Sequence, residues 1–216
     1  MSEPTSNPST ISLEQQRNQE WKSYNEELRS RLKREDFTII ASDCNGTMVY
    51  HDLGVPFLSP TINLMISMPD FVKLAEDLSY FMAQPLIPMP PTENVSYPIA
   101  FLGDLQINFL HYSTFEEAEA AWERRKARIN WDNLYFWGSE KNGCTYDIIR
   151  RFDNLSYPHK VIFTYQDYPE FSSSFRLPGF EGLGHLGTTT NFQPGPLKRR
   201  YLNNFDYVSF LNGEWP

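Results

Sequence analysis

A buried strand that runs into a polar turn and then a helix constrains the fold of this chain more than any other feature. Residues 36–54 read DFTIIASDCNGTMVYHDLG, in which FTIIAS is apolar and β-branched and Gly54 closes the short helix that follows. Such a strand is typical of a parallel sheet covered by helices on both faces. Open sheets of this kind bind ligands beyond the carboxyl ends of their strands. The turn is therefore predicted to contact a ligand through Asp43, Cys44, Asn45 and Gly46.

Strand and helix patterns alternate along the rest of the chain. Apolar runs and helical spacing predict strands at 37–42, 62–67, 133–139 and 159–165, and helices at 13–34, 67–82, 114–129 and 145–155. The pair Gly103-Asp104 lies between two alternating apolar runs and predicts a β-hairpin. This order indicates an α/β fold of three layers: a mostly parallel sheet with flanking helices, the hairpin, and an irregular C-terminal region.

Length and composition predict one folded domain. A chain of 216 residues with 40% apolar residues can bury one substantial core. Residues 1–12 are rich in Ser, Thr and Pro and are predicted to be a disordered tail. Residues 13–216 then form a single α/β domain, with a candidate sub-domain boundary in the proline-rich stretch near 84–96.

Charge and hydropathy exclude several classes of partner. A net charge of −8 argues against general binding to nucleic acid, which needs a basic face. No run approaches the ~20 apolar residues of a transmembrane helix, and the N-terminus has no signal-peptide pattern. Without an export signal, Cys44 and Cys144 are expected to be reduced thiols. These observations predict a cytoplasmic protein without a transmembrane segment.

The chain contains none of the common cofactor motifs. It has no phosphate-binding Walker motif, no G-x-G-x-x-G, no G-x-S-x-G, no H-E-x-x-H and no paired C-x-x-C. Its four histidines are scattered along the sequence. Neither a cofactor nor a metal is therefore predicted.

The candidate catalytic residues are Asp43, Cys44 and His111. A thiol before a helix N-terminus can be a nucleophile, because the helix dipole favours the thiolate. Asp43 opposes this, since a neighbouring carboxylate raises the pKa of a thiol. His111 ends a predicted strand and can be a general base or a packing residue. Cys44 can equally be a small buried side chain in a tight turn.

A basic run on the helix at 114–129 supplies the candidate substrate-binding residues. Arg125 and Arg128 lie near Trp122 at helical spacing, which suits a grip on phosphate beside an indole that covers a sugar or base. Arg124 belongs to the same run, and Asp132 follows it. The alternative is that these arginines pair with glutamates of their own helix and that Asp132 caps a turn.

Several of these stretches together resemble the bacterial domain-of-unknown-function family nineteen-nineteen, whose members are often labelled exopolysaccharide biosynthesis proteins. They include DFTIIASDCNGTMVYHDLG, DFVKLAEDLSYFM, YPIAFLGDLQINFLHY, WERRKARINWDN and FDYVSFLN. The resemblance implies an α/β protein associated with surface-polysaccharide genes, and it implies no settled reaction. In the family the turn usually reads S-N-N-C-W-G. Here Asp43 stands in place of the amide and Asn45 in place of the indole.

Two functional hypotheses follow. The first is an enzyme of polysaccharide assembly that transfers a glycosyl, acyl or phosphoryl group to a sugar intermediate. Its substrate would be a sugar, a nucleotide-sugar or a lipid-phosphate, with other assembly proteins as partners. Its site would lie where residues 43–46, His111 and the arginines at 124–128 converge at one edge of the sheet, with Asp43 or His111 as the base. If Cys44 is the nucleophile, this enzyme is an acyl transferase or esterase. The second is a non-catalytic module that binds a glycan or partner through aromatic residues such as Trp131, Tyr135 and Trp137.

Overall fold

The computed structural model of the chain describes residues 12–90 and 95–214. Its helices are α1 (Leu13–Arg31), α2 (Asn45–Leu53), α3 (Met68–Glu76), α4 (Leu78–Ala83), α5 (Phe115–Lys126), α6 (Tyr146–Asp153) and α7 (Tyr207–Leu211), with a 3-10 helix at Tyr201–Asn204. Its strands are β1 (Thr38–Ala41), β2 (Met65–Ile66), β3 (Leu86–Pro88), β4 (Ile99–Leu102), β5 (Leu105–Asn108), β6 (Leu134–Ser139), β7 (Lys160–Thr164) and β8 (Ser174–Arg176).

A parallel sheet of four strands, in the order β1-β6-β7-β8, forms the middle layer. Successive residues of a strand point to opposite faces, and the two faces of this sheet belong to two hydrophobic clusters. Ile40 of β1 and Phe136 of β6 pack with helices α3, α5 and α6. Ile39 of β1 and Trp137 of β6 pack with α1, α2 and α7. The predicted three-layer α/β fold is confirmed.

A second sheet of four antiparallel strands lies in the connection from α2 to α5, with the order β2-β5-β4-β3. The predicted hairpin is its centre: β4 pairs with β5 across a turn in which Gly103 has a φ of +61°. The strand predicted at 62–67 is shorter, Met65–Ile66, and belongs to this sheet instead of the parallel one. A strand of two residues carries too little periodicity for its limits and its sheet to be recognised from sequence.

Asp77 divides the helix predicted at 67–82 into α3 and α4. Its backbone has φ −145° and ψ 65°, which is not helical, and its side chain accepts a hydrogen bond from the Tyr80 N–H at 3.2 Å. Aspartate is a favoured N-cap because its carboxylate satisfies an orphan donor of the new helix. A polar residue in an otherwise helical pattern therefore acts here as a helix start.

Ser12 was predicted to belong to the tail at 1–12, but it is the N-cap of α1. It forms a capping box with Gln15, in which each side chain bonds the backbone N–H of the other residue. The rest of that predicted tail lies outside the described residues, as do residues 91–94 of the proline-rich stretch, which also contains β3. No helix within 12–90 and 95–214 combines the length and the hydropathy that spanning a membrane requires.

Candidate active site

The turn after β1 places Cys44 directly before the first residue of α2. The thiol caps no backbone N–H of that helix. Gly46 packs against the strand, because a Cβ at this position would lie 3.0 Å from the Ala41 Cβ and 3.1 Å from the Ile39 Cγ2. The glycine therefore allows α2 to start close to the sheet. Since Gly46 has no side chain, the ligand contact predicted for it from sequence could involve only its backbone.

The fold brings His111 next to Cys44. The Cys44 Sγ lies 3.6 Å from the His111 Nε2. His111 follows β5, and β5 pairs with β2, which is joined to the end of β1 by a hydrogen bond of 2.9 Å from the Ile66 N–H to the Ser42 carbonyl. The antiparallel sheet thus positions the His111 imidazole at the carboxyl edge of the parallel sheet. A thiol beside an imidazole is the arrangement of a nucleophile and its general base.

A cavity of about 430 Å³ opens beside this pair. Its apolar lining is formed by Met65 and Leu110, and the remaining lining comes from His111 and residues 43–45, 141–142 and 188–190. Of the residues predicted to converge at one site, Asp43, Cys44, Asn45 and His111 line this cavity, whereas Gly46 and the arginines at 124–128 do not. A cavity of this size accommodates an acyl group together with a sugar-sized molecule.

Hydrogen bonds hold the carboxylate of Asp43 and the amide of Asn45 in fixed orientations. Ser139 at the end of β6 donates from its Oγ to the Asp43 Oδ2 at 2.8 Å. It accepts from the Asn45 Nδ2 at 3.2 Å. Thr189 donates from its Oγ1 to the Asn45 Oδ1 at 2.6 Å, and the Asn45 N–H donates to the Asp43 Oδ1 at 3.0 Å. Asn45 is thus a buried bridge, with a rigid orientation that supports the neighbouring cysteine.

Burial, and then the charge of Asp43, raise the pKa of the Cys44 thiol to about 11, while Lys141 lowers it. The predicted opposition of Asp43 to a thiolate is therefore confirmed. Burial also lowers the pKa of Lys141, and the charges of Asp43 and Cys44 raise it. Cys44 is consequently a protonated thiol at neutral pH, so any nucleophilic attack requires a base that removes its proton during the reaction.

The basic helix does not contribute to the cavity. Arg124 on α5 and Arg128, which follows the end of that helix, are exposed. Arg125 donates to the Tyr112 hydroxyl and lies 5.5 Å from the centre of the Phe57 ring. Trp122 is 1% exposed and packs edge-to-face with Phe109 at 6.3 Å, so its indole faces the core. The proximity of Trp122 and Arg125 was predicted, but the tryptophan has no free face with which to cover a ligand.

Asp132 lies at the opposite edge of the parallel sheet from Cys44. It precedes β6, whose first residue pairs with the first residue of β1, whereas Cys44 follows the end of β1. Six residues of strand span ~20 Å. The backbone N–H of Asp132 bonds the Asn130 Oδ1 at 3.2 Å, a turn arrangement that agrees with the structural alternative.

Sequence reasoning missed Lys141, Ser139 and Thr189. A signal for the first two was available: β6 neighbours β1 in a parallel sheet, so residues at its carboxyl end meet the same edge as Cys44. Thr189 gave no local signal, because it reaches Asn45 across 144 residues of sequence from a loop without regular structure.

Comparison with known proteins assigns this chain to a family. A model described as a domain of unknown function (DUF1919) matches residues 15–212. The chain belongs to this family. An uncharacterized protein of Haemophilus influenzae is 37% identical over 188 residues, which cover 87% of this chain and 90% of that protein. Membership of DUF1919 agrees with the resemblance found in the sequence.

In this DUF1919 protein, Asp43→Asn is expected to lower the pKa of Cys44. The carboxylate is the second cause of the raised value after burial, so the pKa should fall and remain above that of a free thiol. Below its pKa a thiol gains about tenfold in thiolate fraction per pH unit, so the alkylation profile should shift to lower pH. Iodoacetamide labelling followed by mass spectrometry measures this shift.

Cys144 provides the internal reference for that experiment. Burial, then Glu140, raise its pKa to about 12, and Asp43 is not among the causes. The Cys144 profile should therefore be the same in both proteins. An unchanged Cys44 profile in Asp43→Asn would show that the carboxylate does not control the thiol.

Proposed function

We propose that this protein is a thiol-dependent acyl transferase or esterase, with Cys44 as the nucleophile and His111 as the general base. One observation carries the proposal: the Cys44 Sγ and the His111 Nε2 lie 3.6 Å apart at the mouth of a cavity of about 430 Å³. The pair lies at the carboxyl edge of a parallel sheet, where α/β enzymes place their chemistry. The distance is within hydrogen-bonding range for sulfur, which is the contact that a nucleophile and its base need.

In the first half of the reaction Cys44 becomes acylated. The Cys44 Sγ attacks the carbonyl carbon of an ester while its proton passes to the His111 Nε2. The bond from that carbon to the leaving oxygen then breaks, and the departing alcohol takes the proton from His111. The product is a thioester on Cys44, and neither an oxidant nor a reductant is needed.

In the second half an acceptor hydroxyl gives its proton to His111 and attacks the thioester. The carbon–sulfur bond breaks, and the Cys44 sulfur regains the proton. A sugar hydroxyl as acceptor makes the protein a transferase, and water makes it an esterase. In both halves a negative charge develops on the carbonyl oxygen, and Lys141 in the cavity wall supplies the nearby positive charge that favours it.

The resemblance to exopolysaccharide biosynthesis proteins supplies the substrate class of this proposal. The acceptor would be a sugar of a surface polysaccharide or its precursor, modified inside the cell. A nucleotide-sugar or lipid-phosphate donor receives less support, because Arg124, Arg125 and Arg128 do not line the cavity. Its charged lining residues include Asp43 and Lys141, whose charges offset each other.

A second candidate function, a glycan-binding module, is favoured by one aromatic residue. Trp131 is 49% exposed and borders a groove with Glu123 and Lys126. An exposed indole beside polar side chains suits stacking on a sugar ring. Tyr135 and Trp137, which the same hypothesis invoked, are buried at 2% and 1% exposure. The experiment below separates the two functions, because binding alone leaves no covalent product.

Incubation with p-nitrophenyl acetate followed by mass spectrometry of the intact protein tests the proposal. We expect a burst of nitrophenolate and one added acetyl group, mapped by digestion to Cys44. Cys44→Ala should remove both signals, whereas the matched variant Cys144→Ala should retain them. Absence of an adduct on the parent protein, or an equal adduct in Cys44→Ala, would reject Cys44 as the nucleophile.

A further inference from the structure

One part of the cavity wall is an irregular segment, residues 188–190. Its middle residue, Thr189, is 1% exposed and bonds the Asn45 amide beside Cys44. The Thr189 carbonyl accepts a hydrogen bond from the Leu202 N–H at 2.9 Å, which fixes the backbone of the segment. Thr188 and Thr190 on either side contribute to the cavity lining. The segment is therefore held at the nucleophile although it contains no helix or strand.

Arg200 anchors the end of this segment. Its Nη1 donates to the Thr190 carbonyl at 2.7 Å, and its Nε donates to the Asp52 Oδ2 at 3.3 Å. The guanidinium carbon lies 4.6 Å from the centre of the Phe192 ring and 5.2 Å from that of Trp21. Arg200 thus connects the cavity wall to α2, the helix that begins beside Cys44, and to α1. A planar guanidinium is suited to this combined stacking and hydrogen bonding.

The Asp52–Arg200 pair is a costly way to stabilise a fold. The Asp52 side chain is 2% exposed, and its Oδ1 accepts no hydrogen bond from the described residues, with the His51 Nδ1 3.6 Å away. Burying an ion pair costs desolvation energy that its mutual attraction often only offsets, and apolar replacements of similar volume are frequently neutral. A role in holding the cavity wall in position would explain why the Asp52–Arg200 pair lies between that wall and α2.

We propose that Arg200 and Thr189 are positioning residues that hold segment 188–190 as the acceptor-binding wall of the Cys44 cavity, and that this wall takes a hydroxyl-bearing molecule such as a sugar. The inference rests on the proposed acyl transfer. Thr188, Thr190 and Asn142 contribute hydrogen-bond donors and acceptors to the cavity lining, and Met65 and Leu110 contribute apolar surface. Hydroxyl and amide groups match a polyhydroxylated acceptor, and the apolar surface matches an acyl chain.

Two variants separate an effect on the position of segment 188–190 from an effect on the stability of the fold. Thr189→Val keeps the shape of the side chain and removes the hydrogen bond to Asn45. Arg200→Met combined with Asp52→Leu removes both charges together, so no unpaired charge stays buried, and releases the Thr190 carbonyl. Arg151→Met is the matched control, since Arg151 of α6 forms an exposed bidentate pair with Glu76 of α3, and neither residue lines the cavity. Thermal unfolding checks that each variant is folded.

The probe is methyl glucoside, measured both as an acceptor and as a ligand. In each variant the displaced wall should lose one or two hydrogen bonds to the glucoside. We therefore expect the acceptor KM and the calorimetric Kd to rise by about fivefold to tenfold. The acetylation burst should fall by a smaller factor, and Arg151→Met should match the parent protein. Folded variants with KM and Kd within about twofold of the parent would overturn the inference. If the double variant does not fold, Thr189→Val alone decides.

The outcomes for the two proposals differ. A parent protein without an acetylation burst contradicts the acyl-transfer function. Binding of methyl glucoside that weakens in Thr189→Val would still support the wall as a sugar site in that case. A burst in the parent protein together with unaltered glucoside binding in both variants contradicts the wall and leaves acyl transfer in place.

Discussion

His111→Asn is expected to slow the acetylation of Cys44 by about 10²- to 10⁴-fold at neutral pH. Cys44 is protonated there because burial and Asp43 raise its pKa to about 11. Attack on a carbonyl then depends on transfer of the proton to the imidazole, whose Nε2 lies 3.6 Å from the sulfur. Without the imidazole, only the rare thiolate reacts. The burst with p-nitrophenyl acetate, followed from neutral pH to pH 10, measures the loss.

The pH dependence distinguishes loss of the base from a general disturbance of the site. In His111→Asn the residual rate should rise about tenfold per pH unit, as the thiolate fraction does below its pKa. The parent protein should depend less steeply on pH near neutrality. His185→Asn is the control, because His185 bonds the Leu183 carbonyl and does not line the cavity. A His111→Asn variant with the rate and profile of the parent protein would contradict the assigned base.

Trp122→Ala is expected to lower the free energy of unfolding by about 3–5 kcal/mol, the usual cost of truncating a buried tryptophan. The indole is 1% exposed and contacts Phe109, whose ring is 5.7 Å from that of Tyr112. Its Nε1 has no hydrogen-bond partner among the described residues, so the loss is one of packing. Urea denaturation followed by circular dichroism measures it.

Trp131→Ala is the matched comparison for Trp122→Ala. Trp131 is 49% exposed, so its removal should change the free energy of unfolding by no more than about 0.5 kcal/mol. If instead Trp122→Ala left stability unaltered and weakened a sugar or phosphate ligand, the ligand-covering role predicted from the sequence would be restored.

Local patterns were sufficient to predict part of the fold and part of the site. The β-branched run before Cys44 identified a doubly covered strand, and the turn after it lines a cavity, while its contact with a ligand stays a prediction. His111 was expected at the same edge of the sheet as Cys44, but their direct contact could not be predicted, because the two residues are 67 positions apart in sequence and meet only through the pairing of β2 with β5. Trp122 was misjudged for a related reason: a helical stripe shows which residues are neighbours, and it does not show which neighbours are covered by another element.

The proposed pair of Cys44 and His111 joins two separately built parts of the molecule. Cys44 follows β1 of the parallel sheet, and His111 follows β5 of the antiparallel sheet, which lies before β6 in the chain. The pairing of β1 with β6 spans about a hundred residues, and contacts of such long range form slowly. During synthesis or refolding, secondary structure should therefore precede a competent thiol. A chain with a misdocked insertion would lack the contact between the Cys44 Sγ and the His111 Nε2, and the proposed proton transfer would then have no base.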